Sequence, residues 1–423
     1  MKRWLLLAWA VAACRPAQQK QPFDLRIAVT GHLEAVGPSS NVDNWTIIAN
    51  SLIFEPLVFL DDQDELVPAA AVRAELLPPQ AVRVWLRPDA TFSDGSKVVF
   101  EDVASSLEGT HLHASSEGDS ILIRSDDVRT PVELALSFTY IHRRSPQGKE
   151  LGTGAFSLAE EDNRHVLLRR RQSVPGQVST VSIVSYPSPN QAFAHTLTGD
   201  ADLLADVDSR WLEFVDGVPR LRVVRLGPSP YAAIVAFNPG RLSREERRSL
   251  VRAVHNDNIR KLAFGDDCIA PDEMPAYQPP LTGGGRPLDV LTFPFLERFG
   301  LAVRRALGER GGELQLRDFN KFVAATKAGD FDLATARERI SPPIMAVRNW
   351  RTGGENNVFG YSNPKVDAAL DAHDWAAAQR ALDEDPPCAV ICRPMPLAIM
   401  DSRITNISNK RFWRSIVQWE VQR

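Results

Sequence analysis

Chemistry in this chain of 423 residues would have to come from four cysteines, eight histidines and the charged run Arg337-Glu338-Arg339. Cys388 and Cys392, with three residues between them, match neither a zinc ribbon nor a thioredoxin pair, and no histidine lies beside them. With Cys268 they allow one disulfide and leave one thiol over, and the sequence does not say which. His111 and His113 offer two imidazoles, but two ligands make a poor metal site, and residues 110–119 read as a polar loop. The chain lacks G-x-S-x-G, H-E-x-x-H, a P-loop and a dinucleotide-binding glycine fingerprint. Gly283-Gly284-Gly285 lies in a proline-rich stretch that opens no helix. The expectation is a chain that is not an enzyme, with no catalytic residue, no metal and no cofactor.

Composition narrows the alternatives. A content of 44% hydrophobic and 24% charged residues is that of a folded globular protein. The 53 acidic residues nearly balance the 49 basic ones, which argues against nucleic acid as a partner. Thirty prolines suit short strands and ordered loops better than long helices.

The N-terminus reads as a separate signal. Lys2 and Arg3 precede an apolar run over residues 4–13, too short for a bilayer span, which takes about 20 residues, but suited to a signal-peptide core. The run ends Val11-Ala12-Ala13-Cys14, which resembles the bacterial lipobox. Residues 1–13 are then the lipoprotein signal peptide, Cys14 is the lipidated residue and 14–23 is a polar tether. The other reading is an ordinary secretory signal with an incidental cysteine.

Several elements can be placed from periodicity. A short apolar strand is expected over 25–29 and a helix over 44–55, closed by Pro56. Near-alternation over 82–87 predicts a strand with one wet face, and an acid-led helix starts at Phe100. Residues 288–336 read strand, helix, strand, helix, strand, a βαβαβ unit that calls for a mostly parallel sheet covered on both faces. Residues 412–421 read as a last strand.

In order along the chain, FEPLVFLDDQDELVPA, VRVWLRPDATFSDG, FEDVASSL, Gly152-Thr153-Gly154, Gly199-Asp200-Ala201-Asp202, Ala236-Phe237-Asn238-Pro239, Gly329-Asp330-Phe331-Asp332 and FGYSNPKVDAAL appear. Together this series resembles the family 5 extracellular solute-binding proteins, the receptors of oligopeptide, dipeptide and nickel ABC importers. The resemblance implies an α/β chain with the two-lobed periplasmic-binding-protein type II fold, a hinge between the lobes and a reduced extra N-terminal subdomain. It implies lobe one over 24–236, with the subdomain at about 56–150, lobe two over 237–396, and a return to lobe one over 397–423. It also implies a monomeric lipid-anchored protein in the bacterial cell envelope, facing the periplasm or cell exterior. Such a receptor captures a peptide-like solute and works with separate ABC permease and ATPase subunits. The stretch between Leu107 and Gly152 is much shorter than is usual in the family.

The resemblance also suggests where a ligand would sit. Family members commonly carry an aromatic residue and an aspartate after the G-D-x-D strand. Here that segment holds Arg337, Glu338 and Arg339, so only Glu338 is available for an ammonium group. The two arginines suit an anionic or carboxylate-bearing ligand, or else form a local surface ion cluster. Asn44 and Trp45 fall where lobe one lines the cleft, Trp45 reading either as cleft wall or as core. Trp350, in a polar stretch, is a candidate for stacking on a ligand. Glu55, Asp94, Glu101, Asp102 and Asn238 read as caps, turns and hinge bonds. A different function compatible with the altered segment is an envelope sensor or interaction partner without transport; a metal or haem chelate binder is the third reading.

Overall fold

The computed structural model describes residues 23–422 except 31–32, 34, 39–43, 62–63, 79, 128–129, 206, 208–210, 227–228, 256, 271–284, 341–342, 355 and 409–410. Cys14, the signal segment and most of the tether therefore lie outside the described residues. Two sheets organise the chain. The first is seven-stranded, in the order Phe156–Glu161, His165–Arg170, Val178–Tyr186, Phe23–Thr30, Leu203–Ala205, Leu397–Asp401, Leu221–Arg225. Its central strand Phe23–Thr30 pairs in parallel with both neighbours, Ile27 lying opposite Ile183 and Leu203. Leu25 and Ile27 are wholly buried there, because a strand covered on both faces must be apolar on both.

The second sheet is six-stranded, in the order Cys268–Ile269, Cys388–Pro394, Tyr231–Phe237, Leu333–Arg339, Leu288–Thr292, Gly311–Leu316. The βαβαβ unit takes shape as strand Leu288–Thr292, helix Glu297–Ala306, strand Gly311–Leu316, helix Phe319–Lys327 and strand Leu333–Arg339, its strands parallel. Phe299, Val303 and Leu307 turn one face of the first helix into the core. Separate apolar clusters cover the two faces of this sheet, one around Val290 and Phe299, the other around Ala334 and Phe359.

A smaller unit is inserted between helix Asn44–Ile53 and strand Phe156–Glu161. Its antiparallel sheet runs Ala71–Leu77, Ala81–Leu86, Ser120–Ser125, Leu112–Glu117, beside hairpin Val58–Leu60 and Leu66–Pro68 and helices Phe100–Ser106 and Val132–Ser137. It has its own core, including Val82, Val84, Phe92, Val103 and Ile123.

Three expectations are corrected. Strand Tyr231–Phe237 belongs to the second sheet, whereas Leu221–Arg225 belongs to the first, so the chain passes to the second sheet before Tyr231 and not at 236. Residues 110–119, read as a loop, contain strand Leu112–Glu117, whose one-sided burial sequence periodicity missed. The tail over 412–421 is mostly a turn of helix, Phe412–Ser415, then Ile416–Gln418, before the short strand Glu420–Val421; packing of Phe412 and Trp419 into the first core outweighs their β-propensity.

Candidate functional site

In open sheets built from parallel strands, ligands lie beyond the carboxyl ends of the strands, where backbone groups and loops converge. In the first sheet those ends are Thr30, Tyr186 and Ala205, and in the second they are Thr292, Leu316 and Arg339. The chain crosses between sheets through two segments that run side by side. The Leu226 N–H donates to the Pro396 carbonyl and the Ser229 N–H to the Pro394 carbonyl, each at 3.0 Å. Arg393 Nε adds a third bond, to the Ser229 carbonyl at 3.1 Å. Two short segments tied together in this way can bend as a unit while both sheets stay rigid, which is the geometry of a hinge.

Arg337, Glu338 and Arg339 end the strand Leu333–Arg339, opposite Ala233, Ala232 and Tyr231 of the neighbouring strand. The Arg337 guanidinium carbon lies 4.8 Å from the centroid of the Phe295 ring, and that of Arg339 lies 5.3 Å from the Phe138 ring. Glu338 is half-buried. Burial pushes its carboxyl up to about 7, with Arg348 drawing it back down. Such a carboxyl is poised between forms near neutrality: it ionises against an ammonium group and stays protonated against an apolar one.

The tryptophans are placed differently from the cleft reading. Trp45 is buried in the first lobe's core with Ile48, Leu52, Val166 and Ile183, and its Nε1 has no hydrogen-bond partner among the described residues. Asn44 opens the helix Asn44–Ile53. Trp350 does not lie in a polar loop. It ends helix Met345–Trp350, is 6% exposed, and meets Tyr361 edge to face in the second lobe's core, where burial of its large ring outweighs any role on the surface.

Sequence reasoning missed the aromatic rim beside Arg337. Phe293 contacts Phe319 and Phe322 with ring centroids 5.3 and 5.1 Å apart, while Phe295 and Phe319 remain 59% and 55% exposed. The available signal was Phe293-Pro294-Phe295 directly after an apolar strand. The carboxylates in the ordered motifs hold the scaffold. Asp102 receives Arg143 through both oxygens and caps the Val99 N–H. Asp332 receives Arg286 through both oxygens and the Asp289 N–H. Asn238 Nδ2 donates to the carbonyls of Gly329 and Phe331.

No family model matches this chain, and no curated protein matches it. Solved structures do. The ABC transporter substrate binding protein CtaP from Listeria monocytogenes superposes with a TM-score of 0.79 at 17% identity, covering 96% of this chain and 100% of that one. The chain has the periplasmic-binding-protein fold. The oligopeptide-binding protein AppA from Bacillus subtilis, solved with a nonapeptide, shares this fold at a TM-score of 0.75 and 15% identity, over 96% of this chain and 100% of its own. NikA from Staphylococcus aureus, solved with Ni(L-His)2, shares it at 0.75 and 13%, over 94% and 100%. At these identities the likeness is one of fold. In this chain the two sheets are joined through the paired segments in which Leu226 and Ser229 bond to Pro396 and Pro394.

Proposed function

We propose that this chain is the substrate-binding lipoprotein of an ABC importer, which captures a peptide or peptide-like solute by hinge closure and delivers it to a membrane permease. The hydrogen-bonded pair of crossings between two rigid sheets carries the reading, since it supplies the one motion that capture requires. Solved proteins of the same fold hold a nonapeptide, the peptide STSA and nickel bound to histidine. In this reading Glu338 receives a cationic group of the solute, Arg337 its carboxylate, and the exposed faces of Phe295 and Phe319 an apolar side chain. The same reading assigns Asn44, the first residue of helix Asn44–Ile53, to the lobe-one side of the site. Cys14 carries the lipid that holds the monomer at the envelope membrane, and the permease and ATPase are separate chains.

The disulfide between Cys268 and Cys392 supports an oxidising compartment outside the cytoplasm. Titration calorimetry of the protein with short peptides and with nickel–histidine, preceded by native mass spectrometry of the purified chain, tests the proposal. Saturable binding at one solute per chain is the expected result. Absence of saturable binding to either class sinks it.

A further inference from the structure

The inserted subdomain reaches the second lobe. Leu134, on helix Val132–Ser137, is 1% exposed and belongs to the second lobe's apolar cluster with Ile344, Met345 and Trp350. Leu60 and Phe138 pack against the same cluster. Phe138, directly after the helix, has two guanidinium groups over its ring, with Arg348 at 4.8 Å and Arg339 at 5.3 Å from its centroid. At the tip of the hairpin, Asp64 Oδ1 accepts the Ile344 N–H at 3.3 Å. Leu60, Asp64, Leu134 and Phe138 are covalently part of the first lobe, while Arg339, Ile344 and Arg348 are carried by the second. Every one of these contacts is made by protein atoms alone.

We propose that helix Val132–Ser137 with Phe138 is a latch that holds the second lobe closed independently of solute, gripped by Arg339 and Arg348. A contact present only in the closed state shifts the open–closed equilibrium by its full strength, and it does so whether or not the cleft is filled. In this proposal the Phe138 ring, held by two guanidinium groups at an interface that also buries Leu134, is such a contact. The reduced subdomain thus acts on lobe motion as well as standing beside the cleft. The latch draws on Arg339, whereas the solute carboxylate of the proposed function is assigned to Arg337, so the two roles fall on different arginines.

The test is a distance measurement in the full chain without added solute. Spin labels are placed at Val72→Cys in the subdomain and Leu301→Cys in the second lobe, both exposed positions. The parent should give a mainly short distance with a minor longer one, the open form that admits solute. Phe138→Ala should enlarge the longer one, with the open-to-closed ratio rising about tenfold, and Phe138→Trp should keep the parent distribution. If Phe138→Ala does not fold, the pair Arg339→Gln and Arg348→Gln removes the same grip from the other side and is read in the same way. A parent that is already open, or a variant distribution identical to the parent's, overturns the latch. Neither readout involves a solute, so failure of the transport reading is scored separately.

Discussion

A Cβ on Gly152 would lie 2.0 Å from the carbonyl oxygen of Ile53, and one on Gly154 would lie 2.2 Å from that of Leu52. The two glycines let the chain leaving the subdomain pass against the end of helix Asn44–Ile53, where the Gly154 N–H donates to the Ile53 carbonyl at 2.8 Å. This is why Gly152-Thr153-Gly154 stands out as a motif: the requirement is steric. Gly152→Ala is expected to cost about 3 kcal/mol through forced backbone displacement. A urea midpoint equal to the parent's would show that the helix end gives way freely.

Trp45 is packed as core, with a buried indole N–H that lacks a partner among the described residues. Trp45→Phe removes that unmet donor along with part of the ring. The expected thermal midpoint is within a few degrees of the parent's, with solute affinity unchanged. A large loss of affinity with stability intact would place this side chain in the cleft after all.

Glu338 makes stability depend on pH in a definite direction. Burial raises its folded-state pKa from the ordinary 4.5 to about 7, so the folded chain holds a proton that the unfolded chain has released between those values. Stability therefore falls as pH rises from 4.5 through about 7 and levels off above that. Glu338→Gln should flatten this slope and raise the thermal midpoint at pH 8. If Glu338 also receives an ammonium group, binding of a cationic solute at pH 6 releases a proton, visible as a buffer-dependent calorimetric enthalpy that Glu338→Gln abolishes.

The disulfide spans 124 residues, from Cys268 to Cys392. By loop-closure entropy its loss costs on the order of 5 kcal/mol, so reductant should lower the urea midpoint clearly. Burial pushes the thiol of Cys388, the free cysteine among the described residues, far up, and native alkylation should leave it unmodified. Rapid labelling of Cys388 in the folded oxidised protein would contradict that placement.

The parallel βαβαβ unit was legible because each of its elements carries its own period: Leu288–Thr292 is short and apolar, and Phe299, Val303 and Leu307 return at helical spacing. The ordered motifs were legible for a related reason. Asp102, Asn238 and Asp332 satisfy backbone or arginine groups at fixed places, and such pairings keep residue types at set spacings. Strand Leu112–Glu117 was not legible because Leu112 is its one buried residue, so no alternation shows although its partner Ser120–Ser125 follows directly, and the helical tail was not legible because the core it packs into is distant in sequence.

By itself the sequence determined the class of fold, the scaffold motifs, the choice of three candidate thiols for one disulfide, and the charged run at 337–339. Only the tertiary structure decided that Cys268 pairs with Cys392, that Trp45 and Trp350 are core, that Phe295 and Phe319 stay exposed, and that Phe138 meets Arg339 and Arg348. The physical reason is range. Periodicity and turn chemistry report what a segment buries, whereas the partner it buries against is set by how distant segments stack, and no local pattern carries that information.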